Sequence, residues 1–144
     1  NDPYDIPKIL KRFYQEKNIL VLVGGVRKNR KDNFSKRFSS KFAKSCRKFF
    51  LNDLHPDSGC GIKVFSKKLF ELMPYFDHMH RFLTVLAKRE GAKVIPFDVN
   101  HRARLDGISK YTNLGRLLVG ISDILAVVWL LRRTPNQYSS REIK

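Results

Sequence analysis

The chain has 144 residues, 42% of them apolar, which is the size of one ordinary domain, or part of a larger one, with enough hydrophobic material for a core and excludes a disordered chain. Its 29 Lys and Arg against 13 Asp and Glu leave a formal charge of +16, so the expected partners are anionic: nucleic acid, lipid headgroups or phosphorylated ligands. Two cysteines, Cys46 and Cys60, exclude a disulfide scaffold, lack zinc-ligand spacing and point to a reducing cytosol.

At the start, NDPYDIPKIL shows no basic leader followed by an apolar core, so no secretory signal is expected. Ile6, Ile9, Leu10 and Phe13 share one helical face, with Asp5 as the predicted cap and Pro7 in the first turn, where proline is tolerated. Ile19 to Val23 reads as a buried strand ended by Gly24 and Gly25. A helix is predicted from Asn33 to Leu51, and a third possible strand at Ile62 to Phe65. Ser66 to Met73 is a short capped helix stopped before Pro74, and Phe82, Leu83 and Leu86 mark another that Gly91 ends. Lys93 to Val99 is a strand, and the apolar run Leu117 to Leu131 is helical. That run contains Gly120, Ser122 and Asp123 and is shorter than the ~20 residues of a spanning helix. The alternation predicts an α/β fold, and so few strands among so many helices predict only part of a sheet.

Two stretches carry chemistry. In VNHRARLDGISKY, residues 99–111, Arg102, Arg104 and Lys110 surround Gly107, which lets the backbone turn and bring planar guanidinium forks and a mobile ammonium onto one anion. This predicts a phosphorylated ligand. From Arg27 to Lys48, ten Lys/Arg and the single acid Asp32 leave +9. Phe34, Phe38, Phe42 and Cys46 recur every four residues, and Phe49 and Phe50 continue the stripe, giving the composition of a helix lying in a membrane interface. A core-packed helix with a solvated basic face and a nucleic-acid-binding helix are the alternatives.

Smaller features have plainer readings. His78 and His80 lack an evident third metal donor nearby. Ser109 and Lys110 are neighbours whose side chains point apart in extended backbone, which disfavours a serine-lysine dyad. The stretch DSGCGIK, Asp57 to Lys63, reads as a turn in preference to a loop that brings Asp57 to a ligand.

The ordered set NDP, Gly25-Val26-Arg27, KRFSSKFAK, DSGCGIK, MHRFL and NHRARLDGISKYTNLGRL resembles the C-terminal half of a family 2 glycosyltransferase. The branch it most resembles is the dolichol-phosphate or polyprenyl-phosphate mannosyltransferases. The resemblance covers residues 1–131, with 132–144 as a polar tail, and implies part of a glycosyltransferase type A domain, a nucleotide-binding α/β sandwich with amphipathic interface helices. It implies transfer of a hexose, mannose from a nucleotide-sugar such as GDP-mannose, to a polyprenyl or dolichyl phosphate at the cytoplasmic face of a membrane.

By that resemblance Arg104 and Lys110, six residues apart, hold the donor diphosphate. Arg27, with Lys36 or Arg37 and Ser39 or Ser40, faces the lipid phosphate, while Phe34, Phe38 and Phe42 enter the anionic membrane surface. A lipid phosphate is already anionic, so cationic groups that position it and stabilise the leaving group matter more than a strong base. The family's Mg2+ or Mn2+ ligands, an Asp-x-Asp motif and a glutamine, precede its NDP segment and are not among these residues. The chain without that N-terminal half is therefore expected to be inactive. Gly24-Gly25-Val26 departs from the family's small-aromatic pattern before the arginine. A basic nucleic-acid-binding module or an inactive remnant are the alternatives.

Overall fold

The structure, a computed structural model, describes residues 2–28, 44–100 and 113–133. In chain order the elements are α1 (Ile6–Tyr14), β1 (Val21–Lys28), α2 (44–51), β2 (Lys63–Phe65), α3 (Lys67–Leu72), α4 (Leu83–Arg89), β3 (Lys93–Asn100) and α5 (Asn113–Arg132). The three strands form a mixed sheet in the order β2-β1-β3, with β2 antiparallel and β3 parallel to β1. This is the α/β class expected, and it is consistent with part of a glycosyltransferase type A domain.

β1 is central, so both of its faces are covered and its apolar run is continuous. Val21 and Val23 point to one side, where they join Ile9 of α1 and Ile95 of β3. Leu22 points to the other and meets Leu51, Leu69, Phe82, Leu86 and Val127 from α2, α3, α4 with its preceding turn, and α5. The alternation follows from the period of two along a strand. Full burial of a side chain such as Leu86 or Phe82 contributes roughly 1.5–3 kcal/mol.

Two sequence expectations change. β1 does not end at Gly24 and Gly25 but continues through Arg27 to Lys28, because those glycines pair with Pro96 and Phe97 of β3. Their lack of a side chain serves close approach instead: a Cβ on Gly24 would lie 2.6 Å from His55 Nε2, and one on Gly25 would lie 2.8 Å from Cys60 Sγ. Asp5 does not cap α1 through its side chain. Asp2 caps a short 3-10 turn at Pro3–Asp5, and the buried Asp5 carboxylate instead accepts from the Asn100 backbone N–H at 2.6 Å. Of the long helix expected from Asn33, the described part is 44–51.

Other expectations hold locally. Ser66 caps α3 by accepting from the Leu69 N–H at 3.2 Å, and Gly91 follows α4 with φ +74°, a left-handed value that favours glycine. β2 forms where a third strand was suspected. α5 buries Val127 and packs Ile124, Val128 and Leu131 on the core, while Ile121, Leu125 and Trp129 face outward. Among the described residues, no helix is long and apolar enough to cross a membrane.

Candidate phosphate site at the carboxyl end of the sheet

β1 and β3 run parallel and in register, so Lys28 lies opposite Asn100 at their carboxyl ends. The chain leaves β1 into the basic segment that holds Lys36, Arg37, Ser39 and Ser40, and leaves β3 into the segment that holds Arg102, Arg104 and Lys110. The two stretches singled out in the sequence therefore depart from adjacent positions of one sheet end, which is where open α/β sheets receive ligands. Those seven cationic and hydroxyl candidates, with Phe34, Phe38 and Phe42, lie outside the described residues, leaving Arg27 as the predicted site residue that the structure places.

Arg27 occupies the last turn of pleat before Lys28 and is held by Asp57. Its Nε and Nη2 donate to the two carboxylate oxygens at 2.7 and 2.8 Å, and its backbone N–H donates to Oδ2 at 3.3 Å. The side chains of Arg27 and Asp57 are 19% and 14% exposed, so this bidentate pair is better protected from solvent than an ordinary surface ion pair. DSGCGIK contains the expected turn, at 56–59, and it carries Asp57 to the Arg27 side chain. Lys63 donates to the carbonyls of Ser58 and Cys60 and so closes that loop from below. Burial lowers its pKa most strongly, and nearby Arg47 and Arg27 act in the same direction. On the adjoining strand, Lys28 pairs with Asp98 at 2.8 Å, and Asn100 is anchored by Asp5.

Beneath the Arg27–Asp57 pair lies a polar cluster that the sequence reading did not single out. Asp53 accepts from Arg47 Nη2 at 2.7 Å, Ser58 Oγ at 2.7 Å, Thr84 Oγ1 at 3.3 Å and the His55 backbone N–H at 3.2 Å. Burial opposes its ionisation more than any other single influence, yet the bonds from Ser58 and Arg47, with the Arg47 charge, together keep the carboxyl below its ordinary value. His55 is buried next to it. Its Nδ1 accepts from the Asp57 N–H at 3.2 Å, so in the neutral ring Nε2 carries the proton and donates to the Gly24 carbonyl at 3.3 Å. The signal available in the sequence was the density of Asp53, His55 and Asp57 within five residues of a strongly basic chain.

His55 gives this region a pH dependence. Burial pushes its pKa below the ordinary 6.5; the Gly24 bond and the carboxylates of Asp53 and Asp57 pull upward, while Lys63 adds to the fall. The unfolded chain then takes up the proton first, so the stabilisation is complete above about pH 6.5 and is lost as pH falls toward the lower folded value. Urea midpoints measured at pH 7.5, 6.5 and 5.5 are expected to decline in that order, and His55→Asn is expected to flatten the decline.

Among the described residues no group of three or more His, Cys, Asp or Glu side chains is placed to hold a metal ion. The His78 and His80 rings stand 6.2 Å apart, edge to face.

Similarity to known proteins follows the same line. The chain is 28% identical over 114 residues to an undecaprenyl-phosphate 4-deoxy-4-formamido-L-arabinose transferase of Pectobacterium carotovorum, an alignment of 79% of this chain and 34% of that protein. Proteins of the same name from Aeromonas hydrophila and Sodalis glossinidius are 28% and 26% identical, over 77% and 78% of this chain and 33% of each relative. The chain thus spans about a third of the length of the curated relatives it matches. No family model matches it, and no solved structure does. These names carry a polyprenyl phosphate and an arabinose-derived sugar; mannose is not in them.

Proposed function

We propose that this chain is the acceptor-side portion of a glycosyltransferase that moves a sugar from a nucleotide-sugar to a polyprenyl phosphate. The observation that carries the proposal is the register of β1 and β3, which starts the Arg27 segment and the Arg102–Lys110 segment side by side. Two phosphates must meet in such a reaction, one on the lipid and one on the departing nucleotide, and two cationic segments leaving one sheet end answer that need. The similarity to the undecaprenyl-phosphate transferases supports the lipid phosphate as acceptor.

In this reading Arg27 faces the lipid phosphate together with Lys36, Arg37, Ser39 and Ser40, and Arg104 with Lys110 holds the donor diphosphate. Charge-assisted hydrogen bonds of about 1.5–3 kcal/mol each bind the two groups, and those on the donor stabilise the charge that builds on the nucleotide as it leaves. Asp57 orients the Arg27 fork before the lipid arrives, which reduces the entropy lost on binding. A divalent ion, Mg2+ or Mn2+, supplies further charge neutralisation in enzymes of this type, through ligands other than those described. We place the chain on the cytoplasmic face of a membrane as a peripheral component, with the exposed Phe49 and Phe50 of α2 directed to the anionic surface.

Nanodiscs containing undecaprenyl phosphate are expected to bind the chain more tightly than nanodiscs containing undecaprenol. Arg27→Met should weaken only the phosphate-dependent part, by roughly tenfold or more, the equivalent of one lost charge-assisted contact. Equal binding to the phosphate and the alcohol sinks the proposal. The sugar is sought separately, by asking whether GDP-mannose or a nucleotide-linked 4-deoxy-4-formamido-L-arabinose protects the Arg104–Lys110 segment from proteolysis.

A further inference from the structure

We infer that His55 is a positioning residue for the Arg27 phosphate site, acting through the bond its ring accepts from the Asp57 backbone N–H. The inference deepens the proposed function and rests on it for the phosphate, but the positioning of Arg27 is a matter of geometry.

The imidazole joins two points. Nε2–H donates to the carbonyl of Gly24, and Nδ1 accepts the backbone N–H of Asp57, the residue whose carboxylate grips Arg27 three positions further along the same strand. Arg27 itself completes the closed loop, because its backbone N–H also donates to Asp57 Oδ2. Displacing the ring would therefore displace Asp57, and with it the plane of the guanidinium. The fit leaves no slack, since a Cβ on Gly24 would lie 2.6 Å from Nε2 and 3.1 Å from Cε1. Asp53 holds the ring's own backbone by accepting the His55 N–H, and ties it to Arg47 of α2 and Thr84 of α4. The ring thus couples a side chain at the proposed lipid-phosphate site to the helix that carries Phe49 and Phe50.

A histidine that merely fills space needs its volume, whereas one that positions Asp57 needs above all the bond from the Asp57 N–H. Asparagine and glutamine separate the two. The Oδ1 of Asn sits where Nδ1 was and keeps the acceptor for Asp57; the amide of Gln reaches the Nε2 position and keeps the donor to Gly24. His55→Asn is therefore expected to preserve a slowly exchanging Arg27 Nε–H resonance and near wild-type binding of farnesyl phosphate in micelles. His55→Gln is expected to lose that resonance and to bind farnesyl phosphate about tenfold more weakly. Equal behaviour of the two variants in the resonance overturns the inference.

In the wild-type chain, which needs no variant to fold, the Arg27 Nε–H resonance should move toward its solvent-exposed position in step with protonation of His55. An Arg27 resonance indifferent to that protonation overturns the inference as well. Arg27→Met supplies the remaining distinction: if it leaves farnesyl phosphate binding unchanged, the phosphate reading fails, while the two resonance measurements still decide whether His55 positions Arg27.

Discussion

Replacing Asp53 with alanine lowers the stability of the chain by about 3–5 kcal/mol, the cost of stripping one partner from a buried ion pair. The side chain of Asp53 is only 3% exposed, and it receives Arg47, Ser58, Thr84 and the His55 backbone at once. Without it the Arg47 guanidinium, 17% exposed and seated over the Phe82 ring at 4.9 Å, keeps its charge and loses its counter-ion. Ser58 and Thr84 lose an acceptor at the same time. The damage spreads because the donors come from α2, the 52–63 loop and α4, which the carboxylate ties together.

Two further variants identify the cause. Asp53→Asn keeps the volume but turns an amide NH2 toward a set of donors, so it should remain destabilised by more than about 1 kcal/mol. Replacing both partners, as in Arg47→Met with Asp53→Leu, should recover most of the loss, because an apolar pair of similar size leaves no buried charge. Urea unfolding followed by far-UV circular dichroism measures all three. A cost below about 1 kcal/mol for Asp53→Ala would show that water or rearrangement replaces the carboxylate, and that the joint does not hold the loop.

Which parts of this molecule were legible beforehand follows from the range of the interaction involved. The strand cores and the ends of α3 and α4 are set by neighbours in sequence: the apolar run at Val21 to Val23, the Ser66 cap, the left-handed Gly91. Those were readable. Gly24 and Gly25 were misread as a stop because glycine usually ends a strand, and their actual reason is contact with His55 and Cys60, 31 and 35 positions away. Asp5 was misread as a cap for the same reason, its partner Asn100 being 95 residues distant. In the site, the family resemblance pointed to Arg27, but its orientation depends on Asp57 across 30 residues, and that of Asp57 on His55. Local pattern carries the first kind of fact and has no access to the second.

Changing Phe49 and Phe50 together to serine is expected to weaken binding to anionic vesicles by about a hundredfold. Both rings are exposed, at 82% and 51%, and they form an edge-to-face pair with centroids 5.0 Å apart. Exposed aromatic rings that contribute little to the core cost little stability when removed, so the substitution tests association rather than folding. A phenylalanine fully transferred from water contributes roughly 1.5–3 kcal/mol, so the exposed parts of the two rings supply about 2–4 kcal/mol, a range centred near the ~2.7 kcal/mol that a hundredfold change requires. Lys44 and Lys48 of the same helix each add about 1 kcal/mol near an anionic leaflet, whereas Arg47 is engaged by Asp53. Sedimentation with vesicles of phosphatidylglycerol and phosphatidylcholine measures the effect, and the same variant titrated onto single-stranded and duplex DNA provides the contrast. Binding to nucleic acid depends on phosphate contacts and falls steeply with salt, so loss of two surface phenylalanines should leave the duplex arm close to wild type. If vesicle binding survives the substitution, α2 does not enter the interface by its aromatic side. If vesicle and duplex binding fall together, the exposed pair supports the helix itself, and the basic face alone accounts for the attraction to anions.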